Sequence, residues 1–193
     1  MSGLRVWRAA GAAGAVLAGV VAIAGCTAPP APEVDPALRK AVQPVVHDAL
    51  IAAQEKNGGF LADDSSLVAT ARWFCAEKII EIRELEDGSV KVGLDMVCSE
   101  LAARAGSLVE GSGVHAPRLM ELSREGTGQA AVYRVRHQGS APDGAGHDAW
   151  IGRSFSKGGA EMVRHGDWDG TAQMEAAART HFRLPSDAPV TAL

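Results

Sequence analysis

Three cysteines, six histidines and a few closely spaced carboxylates are the residues of this chain that could do chemistry. Cys26, Cys75 and Cys98 are too few for a four-cysteine zinc site and form no C-x-x-C redox pair. His47, His115, His137, His147, His165 and His181 include no H-E-x-x-H pair, so isolated surface imidazoles are expected. His137, His147 and His165 are free by sequence to meet in space. Asp167-Trp168-Asp169-Gly170 sets two carboxylates beside a glycine but lacks the further oxygens and closing Glu of a calcium loop. A loop, or a helix cap at Asp169 or Thr171, is the plainer reading. Gly126 to Ala131 and Gly144 to Ala149 both match G-x-G-x-x-A, yet neither sits in a strand–turn–helix–parallel-strand unit, so both read as glycine turns. No G-x-S-x-G elbow occurs, and Ser112, between Gly111 and Gly113, reads as part of a turn. No catalytic residue, cofactor or metal site is assigned.

Cys26 stands apart because of what precedes it. Arg5 and Arg8 lead into a charge-free run of Ala, Gly, Val, Leu and Ile from Ala9 to Gly25, the layout of a secretory signal peptide. The run is marginal for a spanning helix, which needs roughly 20 strongly apolar residues. It ends Ile23-Ala24-Gly25-Cys26, which resembles the lipobox of bacterial lipoproteins. The resemblance implies that residues 1–25 are a leader, that Cys26 becomes the first residue, and that its sulfur carries a diacylglyceryl group. One acyl chain holds a protein only marginally at about 0.8 kcal/mol per buried methylene; two chains anchor it stably. The partner so implied is membrane lipid, and the implied location is the outer face of the cell membrane.

Residues 26–35 form a tether. Thr27 to Asp35 reads TAPPAPEVD, and its prolines favour an extended chain. At about 3.1 Å per residue it reaches roughly 28 Å, which keeps the domain close to the membrane. Loss of Arg5 and Arg8 with the leader lowers the basic residues from 19 to 17 against 23 acidic ones, a net of −6. That balance excludes a nucleic-acid coat and leaves the lipid, not charge, as the anchor.

The elements that must position any site follow from periodicity. The chain has 193 residues, 47% hydrophobic and 22% charged, which suits one globular domain over residues 36–185. Asp35-Pro36 is a helix start, and Leu38, Val42, Val45, Val46, Ala49, Leu50 and Ala53 recur at helical spacing to Asn57-Gly58-Gly59. Asp63 to Thr70 fits either a short helix or a loop. Trp73 to Glu84 and the alternation Val90, Val92, Leu94, Met96 read as a hairpin about Glu86-Asp87-Gly88. Residues 99–104 fit either strand or helix. A third strand is expected at Leu119 to Arg124 and a fourth at Gln129 to His137. Short helices near Trp150 to Phe155 and over Thr171 to Phe182 follow, and Ser186 to Leu193 reads as a flexible tail. The expected fold is α+β: a long N-terminal helix packed on a four-stranded antiparallel sheet, with short C-terminal helices.

The hairpin makes a chemical prediction. A turn at Glu86-Asp87 sets Cys75 opposite Cys98 and Lys78 opposite Asp95. In an exported domain the two thiols would oxidise to a disulfide, contributing about 3 kcal/mol by loop entropy.

Residues 73–156 are similar to a module of uncharacterised bacterial envelope proteins. The likeness rests on Gly111-Ser112-Gly113-Val114 with Pro117, Tyr133-Arg134-Val135, Pro142-Asp143-Gly144 and Phe155. The layout also resembles cystatin-like and nuclear-transport-factor-two-like folds. Such scaffolds host two kinds of protein. One is a non-enzymatic module binding an envelope protein or a small ligand. The other is a small pocket enzyme, an isomerase or hydrolase, with Asp or His as acid and base. The absence of a catalytic signature favours the first.

Overall fold

The computed structural model describes residues 33–59, 61, 66–67, 70–128 and 131–193. The expected leader, Cys26 and most of the expected tether lie outside them, as does most of Asp63 to Thr70. Helix α1 (Pro36–Asn57) begins where Asp35 Oδ1 accepts a hydrogen bond from Ala37 N at 2.9 Å, with Pro36 as its first residue. Val42, Val46, Leu50 and Gln54 are its buried stripe. It stops at Gly58, whose φ of +77° is a conformation other residues rarely adopt.

Four antiparallel strands follow in sequence order: β1 (Arg72–Glu84), β2 (Val90–Arg104), β3 (Ser107–Glu125) and β4 (Val132–Ser140). After a 3₁₀ turn come α2 (His147–Ser154), α3 (Lys157–His165) and α4 (Thr171–Phe182). The fold is α+β, but the sheet has five strands and is mixed. The expected loose tail supplies β5 (Val190–Ala192), parallel to β3. The reason is the length of β3. Its partner β4 covers only Arg118–Glu125, which leaves the start of the same edge open; β5 takes Leu108–Glu110 there.

That length was not expected either. Residues 99–104 continue β2, and Ala105 and Gly106 turn the chain with φ of +51° and +84°. Two positive φ values in a two-residue loop match the right-handed twist of a hairpin. Pairing with β3 overrides the helical preference of Leu101 to Arg104. Ser112 lies not in a turn but in an irregularity of β3, where the register shifts opposite Ser99 and Leu101.

Helices cover both faces of the sheet, not one. On the first face Val42, Val46 and Leu50 of α1 pack on Cys75, Ile79, Leu94, Met96 and Met120. On the second, Met174 and Ala178 of α4 pack on Ala76, Val97, Leu101 and Leu108. Ile151, Phe155 and Ala160 of the α2–α3 region pack there on Ile80. Strand β2 is accordingly buried along most of its length, as a strand covered on both sides must be.

Cys75 lies directly opposite Cys98, and the two form a disulfide with Cα atoms 4.1 Å apart. Lys78 lies opposite Asp95 in the same register.

Candidate functional site

Four of the six histidines, His47, His115, His147 and His165, lie beside carboxylates, and His181 packs edge-on against Phe74 and Phe182. Among the described residues no three His, Cys, Asp or Glu side chains gather as a metal would need. His147 lies 3.7 Å from Asp148, and His165 lies 3.3 Å from Glu161 one helical turn away. Neither Asp169 nor Thr171 is the cap of α4: that residue is Gly170, without a side-chain cap, and Asp169 before it accepts a hydrogen bond from Thr171 N at 2.8 Å. Hydrogen bonds from Thr171 hold the Asp169 carboxyl below its ordinary range, with His115 adding a smaller attraction. Asp95 turns from Lys78 toward His115, whose Nε2 is 3.3 Å from Asp95 Oδ2. His115 faces Val97 across the strands, so it is a diagonal neighbour of Asp95.

His47 makes the tightest of these pairs. Its Nδ1 is 2.9 Å from Glu77 Oε2, and the Glu77 side chain is only 4% exposed. The hydrogen bond to Glu77 raises the His47 pKa above the ordinary 6.5, and burial opposes the rise in part. Because the folded value is raised, the stabilisation is fully present below about pH 6.5 and is lost as pH climbs through the raised value. His47→Gln should therefore flatten the dependence of the urea midpoint on pH between about 6 and 8. An unchanged slope in the variant would remove His47 as its source.

Two further carboxylates are buried and structural. Glu81, 1% exposed, accepts hydrogen bonds from Ser156 N at 3.1 and 3.0 Å and from the Ser156 hydroxyl. It also pairs with Arg83 Nε at 3.0 Å. Glu100 accepts from Leu61 N at 2.8 Å. Its carboxylate is so close to Gly59 that a Cβ there would lie 2.2 Å away. Each ties a connecting segment to the sheet. Cys75 and Cys98 are buried as well, which makes their bridge a structural one.

The ligand-sized space is elsewhere. A half-open cavity of about 710 Å³ lies between the first turns of α1 and the ends of β1, β3 and β4. That volume is in the range of small-molecule sites, roughly 300–1,000 Å³. Leu38, Ala41 and Ala131 give it an apolar wall, and Lys40, Arg124 and Tyr133 bring polar groups from three elements. The strand register explains the convergence. Arg124 on β3 is directly opposite Tyr133 on β4, so both side chains rise from the face that α1 covers. Arg124 Nη1 is 3.6 Å from Glu84 Oε2, beyond hydrogen-bond distance, and its buried Nε has no partner.

Sequence reading named none of these residues as a site. Tyr133 is legible there as a residue of the expected fourth strand and of the Tyr133-Arg134-Val135 likeness, and Arg124 as the end of the third strand. The available signal was the long β3–β4 hairpin, whose register places Arg124 opposite Tyr133. The role of the α1 start required knowing how that helix crosses the sheet.

No family model matches the chain, and it matches neither a curated protein nor a solved structure.

Proposed function

We propose that the protein is a lipid-anchored, non-enzymatic binding module at the outer face of the cell membrane, and that its ligand occupies the cavity at the start of α1. The observation that carries the binding reading is the placement of this space. Both sheet–helix interfaces are filled by fully buried side chains, while the cavity at one end joins an apolar wall to a few convergent polar groups. The pairs His47–Glu77 and His115–Asp95 do not line it. Of its two carboxylates, Asp35 is engaged as the cap of α1. Among the described residues of this wall no acid is set beside a base, so the isomerase or hydrolase alternative gains no support from them.

The anchor and the cavity fit one arrangement. Asp35, the last tether residue, lines the cavity, so the lipobox reading puts the opening on the side where the chain leaves for the membrane. The course of α1 over an antiparallel run of four strands supports the cystatin-like likeness, although helices also cover the second face.

Two measurements test this. Metabolic labelling with a fatty acid should mark the wild type and leave Cys26→Ser unlabelled; equal label in both would exclude this anchor. Native mass spectrometry of the protein released from membranes should show a small bound molecule that is lost in Ala41→Trp, whose indole would take up part of the cavity and cover its apolar wall. A bound mass retained in Ala41→Trp would place the ligand elsewhere.

A further inference from the structure

We infer that the cavity at the start of α1 takes an amphiphile with a phosphate or carboxylate head, held by Arg124 and Lys40 while its apolar body lies on Leu38, Ala41 and Tyr133. This rests on the reading of the cavity as a ligand site and names the chemistry that site selects.

Arg124 carries the argument. Its guanidinium presents five donors in a planar fork. It makes no hydrogen bond to any described residue, and its Nε is buried and unpaired. That enclosed Nε is out of a ligand's reach, so the donors left for the cavity are those of the two Nη groups. Glu84 does not satisfy it: the contact is 3.6 Å, and the Glu84 side chain is 61% exposed. A phosphate or carboxylate entering the cavity could engage the fork in two parallel hydrogen bonds.

Lys40 supplies a second cation on the opposite wall. It makes no ion pair among the described residues, and the two carboxylates that share the cavity are Asp35, engaged as the cap of α1, and Glu84. Tyr133 is 7% exposed and offers a hydroxyl beside an apolar ring. With Leu38, Ala41 and Ala131 it forms a surface that a small inorganic ion would leave wet. The space is several times that of one phosphate group, so the chemistry that fills it has an apolar part. A lipid headgroup and a free organic anion share this chemistry.

The test is equilibrium dialysis of the mature lipoprotein in phosphatidylcholine vesicles, each sample matched to protein-free vesicles. Labelled octyl phosphate, inorganic phosphate and neutral octyl glucoside are the probes. Octyl phosphate should bind saturably and far more tightly than the other two. Arg124→Gln and Lys40→Gln should each weaken it by roughly 10-fold or more, as loss of a charge-assisted hydrogen bond does. Lys40 is exposed on α1, so its variant is not a threat to folding. Octyl phosphate binding unchanged in both variants would overturn the assignment. Inorganic phosphate bound as tightly as octyl phosphate would overturn the amphiphile in favour of a free anion. Octyl glucoside bound equally well would overturn the anionic head while keeping the cavity as a site. If none of the probes binds but wild type still carries a mass that Ala41→Trp loses, the head chemistry alone is wrong. If that mass is also missing, the binding reading falls with it.

Discussion

Replacing Glu81 with alanine is expected to lower the unfolding free energy by about 2–4 kcal/mol, a large share of the stability of a domain this size. The side chain is 1% exposed and gathers one ion pair and the hydrogen bonds of Ser156. Ser156 is the N-cap of α3, its hydroxyl oxygen accepting from Gly159 N at 3.1 Å. Arg83, paired with Glu81, also donates to Ser154 O at 2.6 Å. One carboxylate thus fixes the α2–α3 corner to β1, and alanine would leave buried donors without an acceptor. The estimate is held below that for a fully buried pair because the Arg83 side chain is 41% exposed and can turn to water. Urea unfolding checks this, and a loss under about 0.5 kcal/mol would show that water replaces the carboxylate. Glu81→Gln keeps the shape and should fall between the two.

Removing the disulfide should be nearly as costly. The bridge spans a sequence separation of 23, for which loop entropy gives about 3 kcal/mol. Both cysteines are at most 4% exposed, so a paired change to alanine also removes buried sulfur from the α1 face. The double variant should unfold about 2–4 kcal/mol more easily. Non-reducing mass spectrometry of the mature protein should show one linked peptide. Two alkylatable thiols, with a midpoint equal to that of the double variant, would deny the bridge.

These two effects differ in how far the sequence announced them. The bridge was legible in outcome but not in cause: beside the turn the register is Glu84 opposite Val90 and Ile82 opposite Val92, which continued unbroken would set Cys75 opposite Ser99, and the shift between Ile79 and Glu81 restores Cys98. Glu81 was hidden. Strict alternation would put it with Cys75 and Ile79 under α1. The register shift between Ile79 and Glu81 brings Glu81 to the other face beside Ile80, against Phe155 and Ser156. A one-residue slip reverses every orientation after it, and composition does not mark where it falls. Gly93, opposite Glu81, was the available hint: a Cβ there would lie 2.6 Å from the Phe155 ring.

The rest divides along the same line. The start of α1 and the span of α4 were local matters, set by Asp35-Pro36 and by the Thr171 to Phe182 composition. Strand β5 and the cover on both faces depend on which elements meet, and the cavity depends on it most of all. Its polar residues come from α1, β3 and β4, far apart in the chain.

The most direct measurement is hydrogen exchange of the protein with and without octyl phosphate. Added protection at residues 35–41 and 124–133, absent in Lys40→Gln at the same concentration, is the predicted result. Protection confined to other segments, or the same protection in Lys40→Gln, would contradict an anion-binding cavity at the start of α1.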